Sequence, residues 1–168
     1  MKRILIIRHA KSSWDYPELS DFERPLNKRG KRDLPDMSHR LRNQNFTIDL
    51  FLSSPAKRAI ATAIGHASAY EVQASQIVQD KRLYHASSRE IQNIISETKN
   101  SIQSLAIFGH NPGLTDLIND LSHFDLWNLP TCGICVIDLA IDSWSESLNK
   151  KGRKVYYDYP KSTRTSFE

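Results

Sequence analysis

Three short polar clusters hold the side chains of this 168-residue chain that could do chemistry together: Arg8-His9, Ser53-Ser54-Pro55-Ala56-Lys57-Arg58 and Gly109-His110-Asn111. They bring two histidines and at least two arginines. Guanidinium stays charged and offers planar, paired donors that match the oxygens of a phosphoryl group. Two of the clusters also open helices, whose free N–H groups and positive dipole ends favour an anion. The set suits a phosphate pocket.

Distant residues meet only if the fold brings them together. Each cluster directly follows an apolar run that reads as a strand: Ile4–Ile7, Asp49–Leu52 and Ser104–Phe108. In open parallel α/β sheets, ligands bind outside the carboxyl ends of the strands, so the three clusters are expected to share one crevice. Between them lie a polar loop from Lys11 to about Pro25 and a helical pattern over Leu26–Asn43, which Pro35 should divide or kink near Asp33 or Leu34. A second helix is expected over Ala56–Tyr70, with a Ser N-cap and Pro55 in its first turn. Ser75–Gln79 reads as a strand, Ser88 to about Lys99 as a helix, and Pro112 to about Leu121 as a helix capped by Asn111. Gly133–Ile141 reads as a strand and Arg153–Tyr157 as an edge strand. Lys161–Glu168 is a polar tail expected to fray. The alternation predicts one domain over residues 1–160, a three-layer α/β/α sandwich with a mostly parallel central sheet.

Composition narrows the function classes. With 39% hydrophobic and 25% charged residues, 6 Gly and 7 Pro, the chain is neither collagenous nor of low complexity. Its apolar runs are too short for a transmembrane helix, and Arg8-His9 interrupt the N-terminus before a secretory apolar region could form. Two cysteines cannot build a disulfide framework, which points to a reducing cytoplasm. Lys and Arg number 23 against 19 Asp and Glu; within residues 1–60 the count is 13 against 7. Such a basic excess suits nucleic acid, an anionic membrane or a phosphorylated substrate. The densest run, Lys28-Arg29-Gly30-Lys31-Arg32, has no interleaved aromatic platform and is followed by Asp33 and Asp36. It reads as a solvated helix face, or a patch for an acidic protein, rather than a nucleic-acid site. Neither nucleic acid nor a membrane is therefore expected as a partner.

The motifs carry a family resemblance. Ile6-Ile7-Arg8-His9-Ala10 resembles the Arg-His-Gly signature of the histidine phosphatase superfamily, which has the phosphoglycerate-mutase-like fold. Ser53–Ala59 with Thr62-Ala63 resembles its second motif, and Gly109-His110-Asn111-Pro112 its third. The likeness spans about residues 3–141. Asp21-Phe22-Glu23-Arg24-Pro25-Leu26 with Gly30, and the small size, look most like the SixA-type phosphohistidine phosphatase branch.

The resemblance implies a hydrolase without metal or other cofactor. His9 would be the nucleophile, forming a phosphohistidine. Arg8 and Arg58 would clamp the phosphoryl oxygens, and a cationic His110 would stabilise charge building on them. Arg24 and Asn111 are expected to face the substrate. The implied substrate is a protein phosphohistidine, for example on a histidine-phosphotransfer domain. A small phosphate monoester is the alternative substrate, and a non-catalytic phosphoprotein-binding module is a reading of another class. The chain also departs from the pattern. Ala10 replaces a usual Gly. Asp15 stands where a phosphate-binding Asn is common, and should turn away or pair with a Lys or Arg. The stretch Leu83-Tyr84-His85-Ala86-Ser87-Ser88 lacks the Glu that mutase-like members use as general acid, leaving Asp21 and Glu90 as candidates. His85 is a further candidate for the pocket but reads more readily as surface or structural, and His39, His66 and His123 read as structural or surface. Cys132 and Cys135 read as buried thiols in a strand rather than a redox or zinc pair.

Overall fold

A computed structural model describes residues 1–162; residues 163–168, most of the expected polar tail, lie outside the described residues. The β-branched run at the N-terminus forms β1 (Lys2–Arg8), the inner strand on which the sheet is built. β2 (Leu50–Ser53), β3 (Val78–Gln79), β4 (Ser104–Gly109), β5 (Ile134–Leu139) and β6 (Arg153–Asp158) complete a six-stranded sheet in the order β3-β2-β4-β1-β5-β6. Strands β1 to β4 run parallel, whereas β5 pairs antiparallel with β1, and β6 antiparallel with β5. The sheet is thus mixed α/β, with helices on both faces.

Alternation along β1 explains the layers. Leu5 and Ile7 face one side, where α1 (Lys28–Asn43) contributes Leu34, Met37 and Leu41, and α2 (Lys57–Ala69) contributes Ala63 and Ala67. Ile4 and Ile6 face the other, against Ile91, Ile94 and Ile95 of α3 (Ser88–Ser96) and Leu114, Leu117 and Ile118 of α4 (Gly113–Leu121). Each Leu, Ile or Met side chain buried in this way contributes roughly 1.5–3 kcal/mol. Among the described residues, no helix is long and apolar enough to cross a membrane.

Several local expectations are corrected. Pro35 does not divide α1, which runs through it. The proline lies on the exposed face, so the Lys31 carbonyl that loses its partner can turn to water. α1 starts at Lys28 rather than Leu26, because the Asn27 side chain accepts from Gly30 N at 2.8 Å and sets the N-terminus there. α2 is preceded by Ala56, not by a capping serine. α4 begins at Gly113, one residue late, after a cis Asn111–Pro112 peptide. β3 is only two residues long, since Ala74–Gln76 coil into a 3₁₀ turn. Cys132 precedes β5 in a left-handed conformation, φ 62°, and packs with α1 and α2. Cys135 packs on the opposite face, so the two free thiols belong to different cores.

Candidate active site

Strand register puts the three polar clusters at one level. Arg8 pairs with Gly109 across β1 and β4, and Ser53 with Phe108 across β2 and β4. The next residues keep this order: His9 N donates to Gly109 O at 3.1 Å, and Ser54 N to Phe108 O at 2.9 Å. His9, Ser54 and His110 therefore leave the sheet side by side. The His9 and His110 rings lie 5.3 Å apart.

His9 is buried, and its Nδ1 is 2.7 Å from Ala10 O. A carbonyl can only accept, so Nδ1 carries the proton and Nε2 keeps its lone pair. Burial lowers the pKa of this imidazole to about 3; the Ala10 contact opposes the shift, and Arg58, Arg8 and Arg24 reinforce it. His9 is held neutral with a free nucleophilic nitrogen. Its loop is fixed from below by Thr62, whose Oγ1 accepts from Ala10 N at 2.9 Å and donates to Arg58 O at 2.8 Å.

A cavity of about 160 Å³ opens over His9, lined by Arg8, His9, Lys11, Ser12, Trp14, Arg24, Arg58 and Thr131. Arg8 Nη1 donates to Leu129 O at 2.9 Å, and burial together with Arg58 lowers its pKa from the usual value. Arg58 is buried at the start of α2, while its neighbour Lys57 is exposed, which resolves the choice between them. Arg24 donates to Ser13 O at 2.9 Å, Ser12 Oγ at 2.6 Å and Asp21 Oδ1 at 3.0 Å, and its guanidinium lies over the exposed Trp14 ring. Gly30 lets this loop close on α1: a Cβ there would sit 2.2 Å from Lys11 O.

His110 is buried beside His9. Burial, with His9, Arg58 and His85 adding to it and Asp21 opposing, lowers its pKa to about 3. Its Nε2 is 2.8 Å from Ser54 Oγ, the hydroxyl that the sequence suggested as a helix cap. Its Nδ1 is buried with no hydrogen-bond partner among the described residues.

Three candidates are placed in other work. Asn111 does not line the cavity: its amide donates to Leu129 O at 2.9 Å and Asn128 Oδ1 at 3.1 Å, and its Oδ1 accepts from Thr115 Oγ1 at 2.9 Å. It steadies the loop that receives Arg8. Asp21 is an unsuitable acid. Burial pushes its carboxyl up, but hydrogen bonds from Tyr84, Arg58 and Arg24 outweigh that and hold it well below the carboxylate range. Glu90 is exposed at the start of α3, where its Oε2 accepts from Ser87 N at 2.7 Å in a capping box that lowers its pKa. Asp15 is exposed, outside the cavity lining. His66, fully buried beside Phe108, belongs to the core, and His39 and His123 are exposed.

Tyr84 has no expected role in the site, and His85, a further candidate for the pocket, reads more readily as surface or structural. Tyr84 OH donates to Asp21 Oδ2 at 2.6 Å, and the His85 ring packs 3.9 Å from Tyr84 and 6.3 Å from His110. They lie on an irregular loop with no periodic signal. Among the described residues, no group of three or more His, Cys, Asp or Glu is arranged to hold a metal ion.

Comparison with known proteins agrees with this geometry. Residues 4–104 match the model of the histidine phosphatase superfamily (branch 1). An uncharacterised chloroplastic protein of Arabidopsis thaliana is 28% identical over 163 residues, covering 90% of this chain and 72% of that relative. A provisionally assigned phosphohistidine phosphatase SixA from Agrobacterium tumefaciens superposes with a TM-score of 0.81 at 26% identity, covering 95% of this chain and 98% of that one. A protein histidine phosphatase SixA complexed with tungstate superposes with a TM-score of 0.75 at 21% identity, covering 94% and 97%. At that identity the likeness speaks for the fold.

Proposed function

The chain belongs to the histidine phosphatase superfamily (branch 1), and from that premise we propose that it hydrolyses phosphohistidine on proteins, without a metal, through a phosphohistidine formed on His9. The observation that carries the reading is His9 itself: neutral, with Nδ1 committed to Ala10 O, beside Arg8, Arg58 and Arg24. Nε2 attacks phosphorus, and the proton stays on Nδ1, which donates to Ala10 O. Arg8 and Arg58 hold the equatorial oxygens, with Arg24 a third positive group. His110 takes up a proton beside the phosphoryl dianion and stabilises the transition state. Water then cleaves the P–N bond and releases phosphate.

Substrate size supports a protein. Small-molecule sites usually enclose about 300–1,000 Å³, whereas the cavity over His9 has about 160 Å³. It suits a phosphoryl group whose carrier stays outside. Trp14 and Tyr16 follow the His9 loop, Trp127 precedes Leu129, and all three are exposed, Trp127 at 96%. Exposed aromatics of this kind suit a protein surface. Both cysteines are free thiols, which fits the reducing, cytoplasmic setting we assign.

The test is an assay of the purified protein on phosphohistidine-bearing proteins and on a panel of small phosphomonoesters, with His9→Ala as control. Turnover of phosphoproteins that disappears in His9→Ala is expected. Turnover confined to small esters would replace the substrate assignment, and equal activity of His9→Ala would remove the nucleophile.

A further inference from the structure

We propose that His85 is the proton donor to the leaving group, an inference that rests on the phosphatase reading above. Both carboxylic acids that the sequence offered are ill suited: Asp21 is held ionised by Tyr84, Arg58 and Arg24, and Glu90 is tied to Ser87 N. In-line displacement puts the leaving atom on the far side of phosphorus from His9 Nε2. A donor must therefore come from outside the group formed by Arg8, Arg58 and His110, lie within reach of it, and be free to follow the substrate.

His85 meets these requirements. Its side chain is 65% exposed, its Nε2 is 3.7 Å from Asp21 Oδ2, and its ring is 6.3 Å from that of His110. Its backbone is strained, at φ 56°, a left-handed conformation that costs a non-glycine residue on the order of 1 kcal/mol or more. Both flanks enforce it. Before it, Asp80 accepts from Arg82 N at 2.9 Å and Leu83 is buried. After it, Ala86 packs against Gly113, where a Cβ would sit 2.1 Å from Ala86 O, and Ser87 caps α3. The turn thereby fixes where the imidazole leaves the chain, at the edge of the site.

The groups facing the imidazole are Asp21 from the 21–23 turn, Tyr84 beside it, His110 after β4, and Arg82 and Glu90, which share with it a cavity of about 330 Å³. The proton cycle closes with no other reactant than water. As His9 Nε2 forms its bond to phosphorus, the P–O or P–N bond of the substrate breaks. Its electron pair goes to the leaving atom, which takes the proton of the His85 imidazolium. The neutral imidazole then accepts a proton from the water that attacks the phosphohistidine; the P–N bond to His9 breaks, inorganic phosphate leaves and the imidazolium is restored.

The experiment compares wild type, His85→Asn and His85→Ala on aryl phosphates running from dinitrophenyl to phenyl phosphate, across pH. For phenyl phosphate, kcat/KM is expected to fall about 100-fold in both variants. For dinitrophenyl phosphate, whose leaving group needs no proton, the loss is expected to stay within roughly threefold. An equal loss on every leaving group, or none, overturns the donor role while leaving the phosphatase reading intact. A folded wild type inactive on all phosphate substrates overturns both.

Discussion

Arg58 binds Asp21 twice, donating to its backbone carbonyl at 2.6 Å and to its carboxylate at 3.0 Å. The pair joins the start of α2 to the 21–23 turn, and the same carboxylate also takes Arg24 and Tyr84. Asp21 is thus an internal anion on two of the guanidiniums proposed to hold phosphate.

Replacing that anion should therefore help an external one. Asp21→Asn removes a negative charge beside the proposed phosphate site, and inorganic phosphate or tungstate is expected to bind roughly fivefold to tenfold more tightly. Titration calorimetry reads this directly. Weaker binding would mean that Asp21 serves mainly to orient Arg58.

Arg58→Lys keeps the charge but loses the planar fork. With Asp21 and phosphate both needing paired donors, kcat/KM is expected to drop about 100-fold. A loss below about threefold would show that charge alone suffices at this position. Circular dichroism and a melting curve separate the effect from unfolding.

Acid should destabilise the protein through its histidines. His9, His66 and His110 have pKa values near 3 in the fold, well below the ordinary value of about 6.5. The unfolded chain therefore gains protons that the folded chain refuses. Their contribution is fully present above about pH 6.5 and is lost as pH falls toward 3, by up to about 1.4 kcal/mol per pH unit for each ring. His66 has no hydrogen-bond partner among the described residues and plays no part in the proposed chemistry. His66→Leu should flatten the urea-measured stability profile between about pH 6.5 and pH 3 by one proton's worth. An unchanged slope would show that His66 protonates within the fold.

Asn111 is expected to act through Arg8. Asn111→Ala frees the Leu129 carbonyl loop and leaves the Thr115 hydroxyl without its acceptor, costing about 1–3 kcal/mol of stability. Because Leu129 O also anchors Arg8, kcat should fall further than the stability loss alone explains. Unchanged kcat in the folded variant would limit Asn111 to the scaffold.

What the sequence determined by itself was local. Apolar runs such as Ile4–Ile7 and Leu105–Phe108 specify strands, and the polar residues just after them mark the carboxyl edge of a parallel sheet. That edge gathers Arg8, His9, Arg58 and His110, because period and strand direction are properties of neighbouring residues. Helix limits were less legible, as Pro35 shows: only the fold places it on the exposed face of α1, where the helix tolerates it. The protonation states and the partners were settled by tertiary structure alone. The pKa of His110 is lowered because packing strips it of water, and Asp21 is ionised because residues 24, 58 and 84 converge on it. Asn111 turns from the cavity to hold the Leu129 loop, and His85 reaches the edge of the site through a strained turn. No spacing along the chain encodes such convergence, since desolvation and hydrogen bonding depend on what surrounds a group in space.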